Sequence, residues 1–98
     1  MKQLKNIHPG EVLQEEFLIP LGISAYRLSK DLDIPQTRIS QIVRGNRRIT
    51  ADTALRLSKY FGNSAKFWLG IQDDFDIEEE TRQQKKALGS IVHYMKYK

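Results

Sequence analysis

Apolar residues recur along most of the chain at spacings of three and four, the period of an amphipathic α-helix. Residues that favour helix ends separate these runs, with proline or a hydroxyl side chain at the start and glycine at the end. The boundaries predict five helices that begin near Pro9, Ser24, Pro35, Thr50 and Ser64. No alternation of apolar and polar residues around a tight turn indicates a hairpin, so the expected fold class is all-α.

A sixth helix is predicted near the C-terminus, where Leu88, Ile91, Val92 and Met95 fall at positions i, i+3, i+4 and i+7 of one face. The acidic run 73–80 precedes this stripe. We interpret the run as the start of the sixth helix, because carboxylates at a helix N-terminus interact favourably with the macrodipole. The stripe is a candidate interface with a second molecule, although it can also dock onto its own domain.

The length and composition of the chain are those of one small folded domain. It has 98 residues, of which 40% are hydrophobic and 29% charged, and it has no cysteine. Disulfides and thiolate metal sites are thus excluded, and no histidine or carboxylate spacing resembles a metal site, so we expect no metal and no cofactor. The longest run without a polar side chain, residues 17–23, is too short for a membrane span or signal peptide. We therefore expect a cytoplasmic protein.

Residue types that often mark catalytic or ligand sites have simpler interpretations here. His8 precedes Pro9 at a helix start and has no acid–base partner nearby in the sequence, so we expect a local hydrogen bond or simple exposure, and no catalysis. Trp68 lies with Phe67 and Ile71 at helical spacing, so we expect these three side chains to bury against the fourth helix. The sequence therefore indicates no catalytic residue and no enzyme.

The net charge of +4 is unevenly distributed. Residues 24–50 carry +4, residues 72–80 carry −6 and residues 81–98 carry +5. Four arginines and no acid lie within 34–50, and such clustering is typical of a surface that binds a polyanion. A merely solvated basic face is about as common, so the cluster indicates a function only once it is placed on the predicted helices.

The second and third predicted helices, Ser24 to Leu32 and Pro35 to Arg44, are short and joined by a tight turn, as in a helix-turn-helix. On the third helix Ile39, Ile42 and Val43 share one arc, and polar residues share the opposite arc or flank it at the N-terminal end. Their amide, guanidinium, hydroxyl and methyl groups match base edges in the major groove. We therefore predict six base-reading residues: Gln36, Thr37, Arg38, Ser40, Gln41 and Arg44.

A polar and basic loop follows this recognition helix. Asn46, Arg47 and Arg48 lie in it, and Thr50 begins the next helix, whose free N–H groups and dipole also favour a phosphate. We predict that these four residues hold the DNA backbone and carry no sequence information. An exposed polar helix face alone is weak support for DNA binding, but the tight turn, the arginine cluster and the basic loop together favour it.

At this point the residues resemble a known family. Residues 24–45 look like the Xre/Cro-type helix-turn-helix, which many repressors share. Three wider stretches resemble HigA/VapI-type antitoxins of bacterial toxin–antitoxin modules. The first is residues 8–17, which begin with His8-Pro9-Gly10-Glu11. The second is Arg38-Ile39-Ser40-Gln41-Ile42-Val43-Arg44-Gly45 together with residues 49–50 and 54–57. The third is Phe67-Trp68-Leu69-Gly70-Ile71-Gln72. The resemblance spans about residues 7–77, and it departs at Gly70, where the family often has asparagine.

The resemblance implies a five-helix Xre/Cro-type, lambda-repressor-like DNA-binding domain with an additional C-terminal helix. It further implies a homodimer that binds the double-stranded operator of its own operon and neutralises a toxin protein of ribonuclease type. By matching positions it adds Ser24 to the phosphate-binding residues. We accordingly divide the chain into a DNA-binding domain, residues 1–76 with the helix-turn-helix at about 24–45, and a C-terminal helical extension, residues 77–98, for dimer or partner contact.

Two other functions compete with the antitoxin. One is an Xre-type transcriptional repressor without a toxin partner. The other is an interaction module that binds a protein through its last helix and has lost DNA binding. The outward face of the recognition helix keeps amide and guanidinium groups and has no acid, which disfavours the interaction module. A toxin reading frame beside the gene would favour the antitoxin over the plain repressor.

Overall fold

The computed structural model describes residues 5–97, and within that range helices are the only regular elements. Helix α1 consists of three consecutive segments, Pro9–Val12, the π-helical Leu13–Leu18 and Ile19–Leu21. The other helices are α2 (Ala25–Leu32), α3 (Gln36–Val43), α4 (Ala51–Phe61), α5 (Ala65–Gln83) and α6 (Lys85–Gly89), followed by a 3₁₀ turn at Tyr94–Tyr97. The all-α fold is thus confirmed.

The predicted helix boundaries hold where they depend on local chemistry. The hydroxyls of Ser24 and Ser64 each accept a hydrogen bond at 3.0 Å from a backbone N–H in the first turn of α2 and α5, respectively. Gly45, with φ +79°, follows α3, and Gly62, with φ +80°, ends α4, so both occupy the left-handed region that glycine favours. Pro35 precedes α3 as its N-cap and is not its first residue, one position from the prediction.

The core is a single apolar cluster to which α1 to α5 all contribute. Its fully buried large side chains are Leu13, Leu28, Ile39, Ile42, Ile49, Leu57 and Trp68. Trp68 donates its indole N–H to Asn63 Oδ1 at 2.9 Å, so its polar atom is satisfied. Phe67, also predicted to be buried, is 39% exposed, because its ring only borders this cluster by packing against Phe17 and Trp68.

The N-terminal His8-Pro9-Gly10 segment fixes α1 against the recognition helix α3. His8 is the N-cap of α1, and its Nδ1 accepts the N–H of Gly10 at 2.8 Å, which confirms the expected local hydrogen bond. Gly10 approaches α3 so closely that a Cβ atom on it would lie 1.7 Å from the carbonyl oxygen of Ile42. The start of α1 therefore sets where the C-terminal end of α3 lies.

The acidic run 73–80 lies in the second half of α5 and not at the start of a sixth helix, so that prediction is wrong. The macrodipole interpretation is therefore wrong, because the C-terminal half of a helix disfavours negative charge. Contacts to other side chains stabilise the carboxylates instead: Asp76 pairs with Arg48, and Glu79 accepts a hydrogen bond from Asn6 at 3.0 Å. Helix α5 is continuous across residues 76 and 77, and the next break in helical structure lies at Gln84.

The additional C-terminal helix is present but shorter than predicted. Helix α6 ends at Gly89, residues 91–93 have no regular structure, and Leu88 and Ile91 are 45% and 72% exposed. Periodicity alone does not hold a short helix that has no surface to pack against, and Gly89 weakens it further. The Cα radius of gyration of 17.0 Å exceeds the roughly 13 Å of a compact chain of this length. The apolar stripe thus stays exposed.

Candidate nucleic-acid interface

Helices α2 and α3 form the predicted helix-turn-helix. The turn between them contains Asp33 in the left-handed region with φ +58°, a conformation that aspartate tolerates better than most residues. The next residue, Ile34, is buried and donates its N–H to the carbonyl of Ser29 at 3.1 Å, which anchors the turn to α2. Ile39 and Ile42 are fully buried, so the opposite face of α3 must point outward.

The outward face of α3 carries most of the predicted base-reading residues. Gln36, Thr37 and Arg44 are exposed, and Ser40 and Gln41 are half-buried. The face presents amide, hydroxyl and guanidinium groups and no carboxylate. Side chains of this kind donate and accept hydrogen bonds at base edges in the major groove.

Arg38, predicted to flank the outward face at its N-terminal end, is engaged by an acidic side chain of the next helix. Its Nη1 donates to Asp52 Oδ2 at 2.7 Å, and Asp52 Oδ1 also accepts from Arg56 Nε at 2.9 Å. The hydrogen bonds from Arg56 and Arg38 hold the pKa of the Asp52 carboxyl below its usual range, so it is ionised at neutral pH. Arg38 therefore ties the start of α3 to the first turn of α4, a contact between elements that helical periodicity does not reveal.

The residues predicted to hold phosphates border this face but differ in the hydrogen bonds and ion pairs that they make. Asn46 and Arg47 are exposed, and Arg47 Nη1 donates to Gln41 Oε1 at 3.1 Å, so the loop reaches the recognition face. Arg48 is also exposed, and it pairs with Asp76 of α5. Ser24 and Thr50 are exposed N-cap residues; the Ser24 hydroxyl caps α2, whereas the Thr50 side chain makes no capping hydrogen bond.

A groove of about 580 Å³ lies beside α3, and Gln14 of α1 is among its lining residues. It runs between the C-terminal part of α1 and the helix-turn-helix, and polar groups of Gln14, Ser24, Ser40 and Arg44 line it together with apolar side chains. Gln14 belongs to another helix and lies outside the basic cluster, so no pattern in the sequence associates it with the site. Asp52, Gln72 and Asp76, which hold the arginines and the loop, were missed for the same reason.

No helix among residues 5–97 is long and apolar enough to cross a lipid bilayer. The same residues contain no cluster of three or more histidine, cysteine, aspartate or glutamate side chains placed to hold a metal ion.

Comparison with known proteins agrees with this geometry. A helix-turn-helix family model matches residues 14–68. Virulence-associated protein I from Dichelobacter nodosus is 47% identical over 90 residues, which cover 92% of this chain and 82% of that protein. The structure of a HigA-family addiction module antidote protein from Coxiella burnetii has 44% identity and a TM-score of 0.87, over 93% of this chain and 100% of that one. Antitoxin HigA from Pseudomonas aeruginosa, solved with the higBA promoter, has 34% identity and a TM-score of 0.88, over 93% of this chain and 99% of that one.

The matched regions cover 92–93% of the chain, so the similarity extends well beyond the helix-turn-helix. Members of this family are DNA-binding regulators and not enzymes. The chain belongs to the Xre-type helix-turn-helix family and, within it, to the HigA-type antitoxins.

Proposed function

We propose that the protein is a sequence-specific DNA-binding antitoxin that represses its own operon. The recognition helix α3 would enter the major groove, where Gln36, Thr37, Ser40, Gln41 and Arg44 read bases. The backbone would be held by Ser24, Asn46, Arg47, Arg48 and Thr50. As a DNA-binding regulator it would act in the bacterial cytoplasm, at the nucleoid.

One observation carries this proposal: the exposed face of α3 bears only neutral polar and basic groups, and an exposed arginine of the following loop reaches it. A solvated surface helix of a protein with 29% charged residues ordinarily mixes both signs. The absence of any carboxylate on this face is what a phosphate-lined groove requires. Arg38, which is engaged by Asp52, is better suited to hold α3 in place than to read a base.

A transcriptional reporter tests repression directly. The DNA upstream of the gene is fused to a reporter, and the full chain is supplied from a separate plasmid. Repression should require both the chain and the native upstream sequence, and a scrambled sequence of equal composition should restore expression. Unchanged reporter activity with a well-expressed chain would contradict autorepression.

We also infer that the protein acts as a homodimer through its C-terminal extension. One recognition helix reads only a few base pairs, and helix-turn-helix dimers place two such helices about 34 Å apart on a palindrome. The exposed apolar stripe of Leu88, Ile91, Val92 and Met95 supplies a surface that a second copy would cover. Sedimentation should show a dimer at micromolar concentration and a monomer for Ile91→Asp; a wild-type monomer with and without operator DNA would overturn the inference.

The neutralisation of a toxin of ribonuclease type is the part of the proposal that only the family supports. It is tested by co-expressing the chain with the product of any small reading frame beside its gene. Relief of growth arrest and co-purification of the two proteins support the antitoxin. Failure of both leaves the alternative, a transcriptional repressor without a toxin partner, which uses the same DNA-binding surface.

A further inference from the structure

Gln72 of α5 is a buried polar side chain whose amide forms hydrogen bonds through both its oxygen and its nitrogen. Only 1% of the residue is exposed. Its Oε1 accepts the backbone N–H of Ile49 at 2.7 Å, and its Nε2 donates to Asp76 Oδ1 at 2.9 Å. Ile49 lies at the end of the loop that carries Arg47 and Arg48, so Gln72 joins that loop to α5 across 23 positions of sequence.

Asp76 extends this connection to the surface. Its second oxygen accepts from Arg48 Nη2. Partial burial would raise the pKa of the Asp76 carboxyl, but the hydrogen bonds from Arg48 and Gln72 outweigh that effect and hold its pKa below the usual value. The carboxylate is therefore ionised at neutral pH and fixes one edge of the Arg48 guanidinium, while just over half of the arginine side chain remains exposed.

We propose that Gln72 is a positioning residue for DNA binding, which aims Arg48 at a phosphate by fixing both the loop backbone and the Asp76 carboxylate. The proposal rests on the DNA-binding function proposed above. An arginine side chain is flexible, and without its support Arg48 would mostly adopt rotamers that do not reach the phosphate, so both the affinity and the number of phosphate contacts would fall. A guanidinium has five N–H donors, so Asp76 leaves most of them available to the DNA.

The first test is Gln72→Met in the full chain, because methionine has a similar length and leaves the net charge unchanged. Affinities for the upstream DNA and for a random duplex should both fall about threefold to tenfold, the effect expected for loss of one preordered side chain. The slope of log affinity against log salt should become shallower by about 1, as if one phosphate contact were lost. A purely structural role would lower the melting temperature and leave the salt slope unchanged, and that result would overturn the proposal.

A double-mutant cycle with Arg48→Ala tests whether Gln72 acts through Arg48. Once Arg48 is absent, Gln72→Met should cause almost no further loss of DNA affinity, because the two residues belong to one unit. Additive losses in the double variant would show that Gln72 acts by another route and would overturn the proposal.

Asp76→Ala supplies a test that does not depend on a buried substitution. Removal of an acid from a DNA-binding protein should tighten binding by simple electrostatics. The proposal gives the opposite sign, because Arg48 loses its support, and the salt slope should again be shallower by about 1. Asp73→Ala is the matched control, an exposed acid of the same helix with the same charge change, and it should bind as tightly as wild type or slightly more tightly.

The outcomes separate the two proposals. If wild type binds neither the upstream DNA nor a random duplex, the DNA-binding function fails, and the role of Gln72 fails with it. If wild type is selective and Asp76→Ala tightens binding as much as Asp73→Ala does, only the role of Gln72 and Asp76 is overturned.

Discussion

Gly10→Ala should strongly destabilise the protein, because the added methyl group has no room. The Cβ would lie 1.7 Å from the carbonyl oxygen of Ile42 and 2.6 Å from its carbon, whereas real Cβ contacts essentially never fall below 3.0 Å. The start of α1 and the end of α3 would have to separate by about 1.3 Å. Both neighbours are backbone, and Ile42 is fully buried, so no side chain can rotate to relieve the contact.

Two known effects give the magnitude. Forcing extra volume into a packed core costs about 1–3 kcal/mol. The displacement also disrupts the hydrogen bond from the residue 10 N–H to His8 Nδ1, which lies only 3.1 Å from the new Cβ, and this adds about 1 kcal/mol. We therefore expect a loss of about 3 kcal/mol in the free energy of unfolding, which lowers the melting temperature of a domain of this size by roughly 12–24 °C.

Gly70→Ala is the matched control, since it is the same substitution inside α5 with no heavy atom within 4 Å of the new Cβ. It should stabilise the protein by about 0.5–1 kcal/mol, because alanine is the better helix former. Urea unfolding followed by circular dichroism measures both variants. Equal stability of Gly10→Ala and wild type would refute the close approach of α1 and α3.

Three further predictions concern the DNA-binding face and pH. Gln41→Ala should lower the affinity for the upstream DNA by about 1–3 kcal/mol and the affinity for random DNA only slightly. The control Gln83→Ala should leave both affinities unchanged. An equal loss of affinity for both duplexes in Gln41→Ala would remove Gln41 from the base-reading residues. Arg47→Ala should weaken binding to both duplexes alike and make the slope of log affinity against log salt shallower by about 0.9. An unchanged slope would contradict a phosphate contact. Burial lowers the pKa of His8 below 6.5, against the opposing charge of Asp76. The unfolded chain then binds more protons, so stability should fall as pH drops below about 6.5. His8→Asn keeps a capping group and should lose less stability over that range; parallel pH curves would contradict the assignment.

The parts of the fold that could be predicted from the sequence are those that local chemistry determines. Ser24 and Ser64 cap helices because their hydroxyls replace missing backbone partners, and the glycine after α3 marks its end. The burial of Ile39 and Ile42 follows from helical spacing, and it leaves the polar arc of α3 on the outside. Periodicity and capping residues were thus enough to locate the helix-turn-helix and the outward face of α3.

Contacts between distant elements could not be predicted in this way. The acidic run of α5 contacts other elements, as in the pair of Asp76 with Arg48, which lies 28 residues upstream. The stripe near Ile91 has the right spacing for a helix, yet no neighbouring surface supports one. The hydrogen bond from Arg38 to Asp52 could not be predicted either, because two positions 14 residues apart meet only after α3 and α4 have packed. A pattern in one segment contains no information about its partner across the fold.

Fluorescence anisotropy of the full chain with the duplex upstream of its own gene tests the central claim, sequence-specific DNA binding through α3, most directly. The upstream and scrambled duplexes are compared at two salt concentrations, about 50 and 200 mM. We predict that the upstream duplex binds about 10³-fold more tightly than the scrambled one at the higher salt. Equal affinities for both duplexes that vanish together as salt rises would contradict the claim and leave only a basic surface.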